Sequence, residues 1–176
     1  MAVHVRIAAP ADARDLAAVA AQTFPLACPP GSTPEDIDAF ITTQLSADRF
    51  AEYLRDPDRV VLAAYLGNRI IGYCILIRGI PADADVQLAV QVRPSVELSK
   101  MYVLPEHHGT GASASLMSAA LDQASAISAR SIWLGVNQEN ARAQRFYAKH
   151  GFTPTGVKAF QLGDAVEHDY VMVRSI

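Results

Sequence analysis

The segment 96–136 constrains the fold most, because it joins two strand patterns through a turn and a helix pattern. Residues 96–103 alternate as a strand does, and "SIWLGV" at 131–136 is typical of a buried strand. Between them, one helix face is shared by Met117, Ala120, Leu121 and Ala124. A strand–helix–strand crossover is nearly always right-handed, so we expect the two strands to be parallel neighbours in one sheet.

The first eighty residues add one strand, two helices and a hairpin. Residues 3–8 alternate as a strand, and residues 9–24 repeat apolar side chains at helical spacing. A second helix is predicted from Thr33 as N-cap, Pro34 at the first position and Asp36 two residues later. Gly67 followed by Asn68 separates two further strand-like runs and predicts a hairpin turn.

The end of the chain adds a helix and two strands. Asn140 is a predicted N-cap, and Gly151 is the expected stop of that helix. Strand-like runs follow in "GVKAFQL" and "DYVMVRSI". The order β α α β β β α β α β β predicts an α/β (α+β) fold with a mixed central sheet of about seven strands and about four flanking helices. A length of 176 residues fits a single domain, 1–176.

Charge and hydropathy exclude several classes of partner. Fifteen basic and 18 acidic residues give a net charge of -3, which does not attract nucleic acid. No stretch reaches the roughly twenty apolar residues that cross a bilayer, and the N-terminus has no apolar signal region, so we expect no membrane partner and a cytoplasmic location. Cys28 and Cys74 lack metal-ligand spacing and are interpreted as reduced thiols.

The turn "HHGTGASA" precedes the central helix and offers backbone donors. Residues 109–114 are all small, and N–H groups at a helix start lack intrahelical acceptors, so a phosphate or pyrophosphate fits there. A plain loop-to-helix junction is the alternative. These residues also satisfy G-x-G-x-x-A, but "LPEHH" separates them from the strand and no second nucleotide-binding half follows, which argues against a dinucleotide fold.

Two longer stretches carry a family resemblance. The segments "ELSKMYVLPEHHGTGASASLM" and "IWLGVNQENARAQRFYAKHGF" together resemble the GNAT superfamily of acyl-CoA-dependent N-acetyltransferases. The second segment and the "F.LGD....D" pattern after it are most similar to the bacterial spermidine/spermine N-acetyltransferase branch. The resemblance implies the GNAT fold, acetyl-CoA as co-substrate, and direct acetyl transfer to a primary amine of a small molecule such as a polyamine.

The resemblance also implies which residues hold the cofactor. In the usual frame, the family pattern R/Q-x-x-G-x-G/A falls on His108, Gly111 and Ser113, and the first and last of these depart from it. In a frame that starts at Glu106, both glycines are kept but the first residue is acidic. The backbone donors are kept in either frame. The implied cofactor-binding residues are Met101, Tyr102 and Val103 beside the pantetheine arm, His108, Gly109, Thr110, Gly111, Ala112, Ser113 and Ala114 at the pyrophosphate, and Asn140 and Tyr147 near the thioester.

Two side chains are candidates for the proton transfers of acetyl transfer. Glu97 is the candidate base for the amine, with Ser99 expected on the same side of its strand; a surface glutamate is the alternative. Tyr147 is the candidate acid for the departing thiolate, against an aromatic residue that only packs. His107 and His108 are adjacent on a turn without a third ligand, so we expect solvated histidines and no metal.

The acceptor is less constrained by the sequence. A cationic amine favours an acidic groove, for which the candidates are Glu35, Asp36, Asp38, Asp164, Glu167 and Asp169; a solvated surface is the alternative. Acetylation of a protein or peptide amine and a non-catalytic acyl-CoA sensor remain open, as does a homodimer.

Overall fold

The computed structural model describes residues 1–176 as one mixed sheet with packed helices. The strands are β1 (Val3–Ile7), β2 (Arg59–Leu66), β3 (Arg69–Arg78), β4 (Ser95–Val103), β5 (Ser131–Asn137), β6 (Thr153–Leu162) and β7 (Ala165–Ser175). The helices are α1 (Ala13–Ala27), α2 (Pro34–Gln44), α3 (Ala47–Arg55), α4 (Ala84–Ala89), α5 (Ala112–Ala126) and α6 (Ala141–Lys149). The sheet order is β1-β2-β3-β4-β5-β7-β6.

The predicted fold class is confirmed, with seven strands in a mixed sheet. β4 and β5 are parallel neighbours, as the crossover predicts, and every other neighbouring pair is antiparallel. This topology is not the parallel, doubly wound sheet of dinucleotide-binding proteins. Local signals also placed the turns and caps: Gly67 has φ 61° between β2 and β3, and Thr33 Oγ1 accepts the N–H of Asp36 at 3.2 Å.

The number of helices is the main difference from the prediction, since six are present where about four were expected. The predicted second helix ends at Gln44, because Leu45 turns into the core and Ser46 starts α3 by accepting the Arg49 N–H at 3.2 Å. The polar link before β4 contains α4, which begins at Asp83, whose carboxylate caps two backbone N–H groups.

Strands β2 and β3 run through the hydrophobic core. Successive residues are buried along both strands, and since successive side chains point to opposite faces, both faces of the sheet are covered there. A separate small cluster packs α4 against the indole of Trp133 and Val171. The longest helices, α1 and α5, have 15 residues each, and no helix combines the length and apolar character needed to cross a membrane.

Candidate active site

A cleft opens where β4 and β5 separate. The parallel ladder runs only from Ser95 opposite Ser131 to Glu97 opposite Trp133, and it does not continue toward Val103. β5 instead stays paired with β7 as far as Asn137. The β5-facing backbone groups of β4 beyond Glu97 therefore lack a strand partner. They line a cavity of about 500 Å³ that can hold an extended ligand.

Most residues predicted from the sequence come together around this cleft. Those that line it are Glu97, Ser99, Met101, Tyr102, Val103, His108, Gly109, Ser113, Asn140 and Tyr147. Four of the predicted cofactor-binding residues, Thr110, Gly111, Ala112 and Ala114, do not line it with side chains. The Ala112 side chain is buried against the core, so only its backbone is free to contact a ligand.

The turn before α5 presents unpaired backbone donors beside the cleft. Gly109 and Gly111 have φ values of 80° and 87°, which favour glycine, although a Cβ at either position would meet no atom within 4 Å. Gly111 is the N-cap of α5 and provides no side-chain acceptor. The first ladder bond of α5 runs from Ser115 N to Gly111 O, so the N–H groups of residues 111–114 have no partner in the chain. The helix dipole adds to their attraction for an anion.

Of the two adjacent histidines, His108 hydrogen-bonds to the protein through its side chain and His107 does not. His108 Nε2 lies 2.9 Å from the Val103 carbonyl, which can only accept, so this nitrogen carries the hydrogen. Its Nδ1 then accepts from Arg142 at 3.4 Å, which brings a cation from α6 to the mouth of the cleft. His107 is half-buried, with its Nε2 shielded and without a partner. No group of three or more His, Cys, Asp or Glu is arranged to hold a metal ion.

Four ionisable side chains line the inner part of the cleft: Glu97, Lys100, Lys158 and Asp169. Lys158 Nζ lies 3.6 Å from Asp169 Oδ2, and both side chains are less than one-fifth exposed. Lys100 Nζ donates to the Ser99 carbonyl at 3.3 Å and has no carboxylate within 4 Å. Two carboxyl groups and two lysine amines thus line one cavity.

Burial shifts the pKa values of Glu97, Lys100 and Asp169. Burial raises the pKa of Glu97, and the nearby charges of Lys100 and Lys158 oppose that rise. Burial lowers the pKa of Lys100, with Glu97 opposing it. Burial likewise raises the pKa of Asp169 against the effect of Lys158. Glu97 is therefore a stronger base than an exposed glutamate, which suits proton removal.

A β-bulge brings Lys100 into the cleft, and the sequence pattern did not show it. Ile75 pairs with Lys100 and Leu76 pairs with Leu98, so Ser99 is an extra residue on β4. The bulge interrupts the alternation of side chains along β4, from which we expected Ser99 on the same side as Glu97. The available signal was a lysine inside a strand pattern that also contains Glu97. Lys158 is likewise a lysine inside a strand pattern, on β6.

Gly135 makes room for the Lys158–Asp169 pair. A Cβ on Gly135 would lie 2.5 Å from Lys158 Cε and 3.1 Å from Asp169 Oδ2. No other side chain fits at this position without moving the lysine. The Lys158–Asp169 ion pair therefore packs against β5 at Gly135, where both side chains are largely shielded from solvent.

Tyr147 and Cys28 are the remaining reactive groups of the cleft. Burial raises the pKa of the Tyr147 phenol to about 12, so it keeps its proton at neutral pH. Burial raises the pKa of the Cys28 thiol to about 11, and its Sγ contacts the Phe24 carbonyl at 3.3 Å. Since the thiolate is the nucleophile, Cys28 is not activated for attack.

The acidic residues proposed for the acceptor groove lie mostly outside the cleft. Of the six, only Asp169 lines it, and this carboxylate already faces Lys158. Asp36 lies against Gly163 in the β6–β7 turn, and the rings of Phe40 and Phe160 meet edge to face at 5.9 Å. These contacts place Asp36 and Phe40 of α2 against the β6–β7 hairpin, whose Phe160 lines the cleft.

The sequence and fold match known proteins over nearly their whole length. Residues 24–152 match the Acetyltransferase (GNAT) family. An uncharacterized N-acetyltransferase of Mycobacterium tuberculosis is 54% identical over 165 residues, which cover 94% of this chain and 98% of that protein.

Solved structures show the same fold at low sequence identity. The PaiA N-acetyltransferase of Thermoplasma acidophilum, solved in complex with coenzyme A, superposes with a TM-score of 0.78 at 19% identity and 100% coverage of both chains. A ribosomal-protein-alanine N-acetyltransferase of Brucella melitensis gives a TM-score of 0.72 at 19% identity, covering 98% of this chain and 99% of that one.

Proposed function

The chain belongs to the GNAT family of acetyltransferases, and on this premise we propose that it transfers the acetyl group of acetyl-CoA to the primary amine of a small molecule. It is an N-acetyltransferase by its family and its relatives. What we propose is the class of acceptor and the roles of individual residues. The observation that carries it is the divergence of β4 from β5 at Glu97, with unpaired donors at 111–114 and Tyr147 around the same cleft.

The residues present fit acetyl-CoA. The unpaired N–H groups of residues 111–114 suit the pyrophosphate, and Arg142, held near the turn by His108, adds a positive charge there. The edge of β4 at residues 101–103 has no strand partner, and its backbone groups, apart from the Val103 carbonyl that His108 contacts, suit the amides of the pantetheine arm. His108 and Ser113 depart from the family pattern, but the donors that they supply or flank belong to the main chain.

Two side chains can carry out the proton transfers of the reaction. Glu97 takes one proton from the acceptor ammonium, and the neutral nitrogen then forms a bond to the thioester carbonyl carbon. The carbon–sulfur bond breaks with its electron pair on sulfur, and Tyr147 donates a proton to the thiolate. The second nitrogen proton restores Tyr147, and Glu97 returns its proton to water, so one proton is released per acetyl group. No covalent acyl-enzyme is required, in keeping with the unactivated thiol of Cys28.

The phenol of Tyr147 is a weak acid for this task. A thiol has an ordinary pKa of about 8.5, below the value of about 12 for Tyr147. Transfer from phenol to thiolate is uphill on these values, so the contribution of Tyr147 comes from position beside the sulfur and from concerted return of the nitrogen proton.

A polyamine is the acceptor that the family resemblance predicts, and it is one member of the proposed class. Asp36, on the helix that packs against the β6–β7 hairpin beside the cleft, supports it because its negative charge attracts a distal ammonium group. A peptide amine is the alternative. A cytoplasmic location and a homodimer also stay predictions.

The proposal is tested by release of free thiol from acetyl-CoA in the presence of single acceptors. A panel of spermidine, simple alkylamines, amino acids and short peptides with free N-termini separates the classes. We expect release with small amines well above the rate without acceptor, and slower release with peptides. Binding of acetyl-CoA by calorimetry together with no thiol release on any acceptor would contradict the proposed function.

A further inference from the structure

The inner cleft contains a cation that the proposed reaction does not use. Lys100 is one of three lysines in the chain, and its ammonium has three donors. Its only hydrogen bond is the 3.3 Å contact to the Ser99 carbonyl, and no carboxylate lies within the ion-pair distance of 4 Å. A buried ammonium without an anionic partner is costly, in keeping with the lowered pKa of Lys100, and an anionic ligand would stabilise its charged form.

Lys158 is a second cation facing the same space. Its distance of 3.6 Å to Asp169 is longer than a charge-assisted hydrogen bond, so the pair leaves donors free. Gly135 leaves space for the lysine in this position, because a Cβ there would lie 2.5 Å from Lys158 Cε. Two of the three lysines therefore lie in the cleft, in a chain with more acidic than basic residues.

Neither carboxylate of the cleft forms an ion pair with Lys100. Asp169 faces Lys158, while Glu97 has no hydrogen-bond or ion-pair partner in the chain and is the group proposed to take the amine proton. When all four groups are ionised, their charges cancel. A polycation entering this space would meet two ammonium groups, whereas a zwitterion would place opposite charges on both kinds of partner.

We propose that the acceptor carries a carboxylate near its primary amine, and that Lys100, assisted by Lys158, binds this carboxylate while Glu97 takes the proton of the amine. This inference rests on the proposed function and narrows its substrate class to amino-acid-like amines. The covalent steps are unchanged: nitrogen bonds to the acetyl carbon, sulfur leaves with the electron pair, and the carboxylate stays ionised throughout.

The test compares acceptors that differ only in the carboxylate. Free phenylalanine, leucine and lysine are each assayed beside their amides and their decarboxylated amines, with spermidine as the polycation. We expect a kcat/KM at least about tenfold higher for the free acids, as one charge-assisted contact supplies. Equal or better turnover of the amides, the decarboxylated amines or spermidine would overturn the inference while leaving the proposed function intact. No thiol release with any acceptor would overturn both.

Substitution of Lys100 tests whether this residue causes the preference for acceptors with a free carboxylate. Lys100→Met is expected to raise KM for the free acid by about tenfold or more and to leave KM for the matched decarboxylated amine within about twofold. Turnover of that amine also shows that the variant is folded. The control is Lys149→Met, which changes the third lysine, exposed on α6 and outside the cleft, and should change neither KM. An unchanged preference for the free acid in Lys100→Met would overturn the assignment of Lys100.

Discussion

Glu97 on β4 and Trp133 on β5 face each other as the last pair of the parallel ladder. The Trp133 indole packs away from the cleft against α4, while the Glu97 side chain lines the cleft. The ladder thus ends at the residue proposed to remove the amine proton. In the proposed mechanism, the divergence of the strands provides the space for the thioester and places the base at its inner end.

Replacement of Tyr147 by phenylalanine tests the proposed acid. Tyr147→Phe should lower kcat by roughly 10²-fold, within the usual range for loss of a positioned acid, with little change in the Kd for acetyl-CoA. The control is Tyr170→Phe, because Tyr170 is half-buried on β7 and lies outside the cleft. Stopped-time thiol release measures both variants. Turnover of Tyr147→Phe equal to that of Tyr170→Phe would remove Tyr147 from the mechanism.

Replacement of Gly111 by alanine tests the turn that presents the backbone donors. A left-handed residue other than glycine costs about 1–2 kcal/mol, so Gly111→Ala should lower the free energy of unfolding and weaken coenzyme A binding by several-fold. Gly31→Ala is the matched control, since a Cβ there also meets no atom within 4 Å but φ is not positive. Urea unfolding and calorimetry report the two effects. Coenzyme A affinity unchanged in Gly111→Ala would separate the turn from cofactor binding.

Replacement of Gly135 by alanine tests the space reserved for Lys158. The added methyl group would collide with Lys158 Cε and displace the ammonium from Asp169. We expect kcat/KM for the acceptor to fall by about tenfold with the Kd for acetyl-CoA nearly unchanged, because the turn before α5 is untouched. An acceptor kcat/KM equal to that of the wild type would show that the position of Lys158 is unimportant.

Replacement of Cys28 tests whether an acyl-enzyme forms. Because burial raises the pKa of Cys28 to about 11, the thiol stays protonated at neutral pH and is a poor nucleophile. Cys28→Ser should therefore keep kcat within about threefold of the wild type, and mass spectrometry of the wild type with acetyl-CoA alone should find no acetylated cysteine. An acetyl adduct on Cys28 that decays when amine is added would contradict direct transfer.

Local chemistry explains what the sequence predicted and what it missed. The hairpin at Gly67 and the caps at Thr33 and Asn140 depend on a few adjacent residues, and all three form as expected. The split of the second helix before Ser46 depends on Leu45 entering a core that is assembled from distant elements. A capping serine with Asp48 in the following turn was the local hint.

The inner cleft was hard to predict for a similar reason. The bulge at Ser99 follows from the register between β3 and β4, and this register is set by pairing over the whole strand rather than by residues near Ser99. Lys158 and Asp169 meet only because β6 and β7 pair with Lys158 opposite Asp169. The backbone donors of the turn were predictable, because they follow from glycine positions and a helix start.

The pH dependence of kcat/KM for thiol release, measured for the wild type and for Glu97→Gln, tests the central assignment most directly. Burial raises the pKa of Glu97, and proton removal needs the carboxylate, so wild-type kcat/KM should fall as pH decreases through a pKa above the usual value of 4.5. Glu97→Gln should be slower by about 10²-fold or more and should lack this acidic limb. An acidic limb of the same midpoint in both proteins, at similar rates, would contradict the role of Glu97 as the base at the point where the strands part.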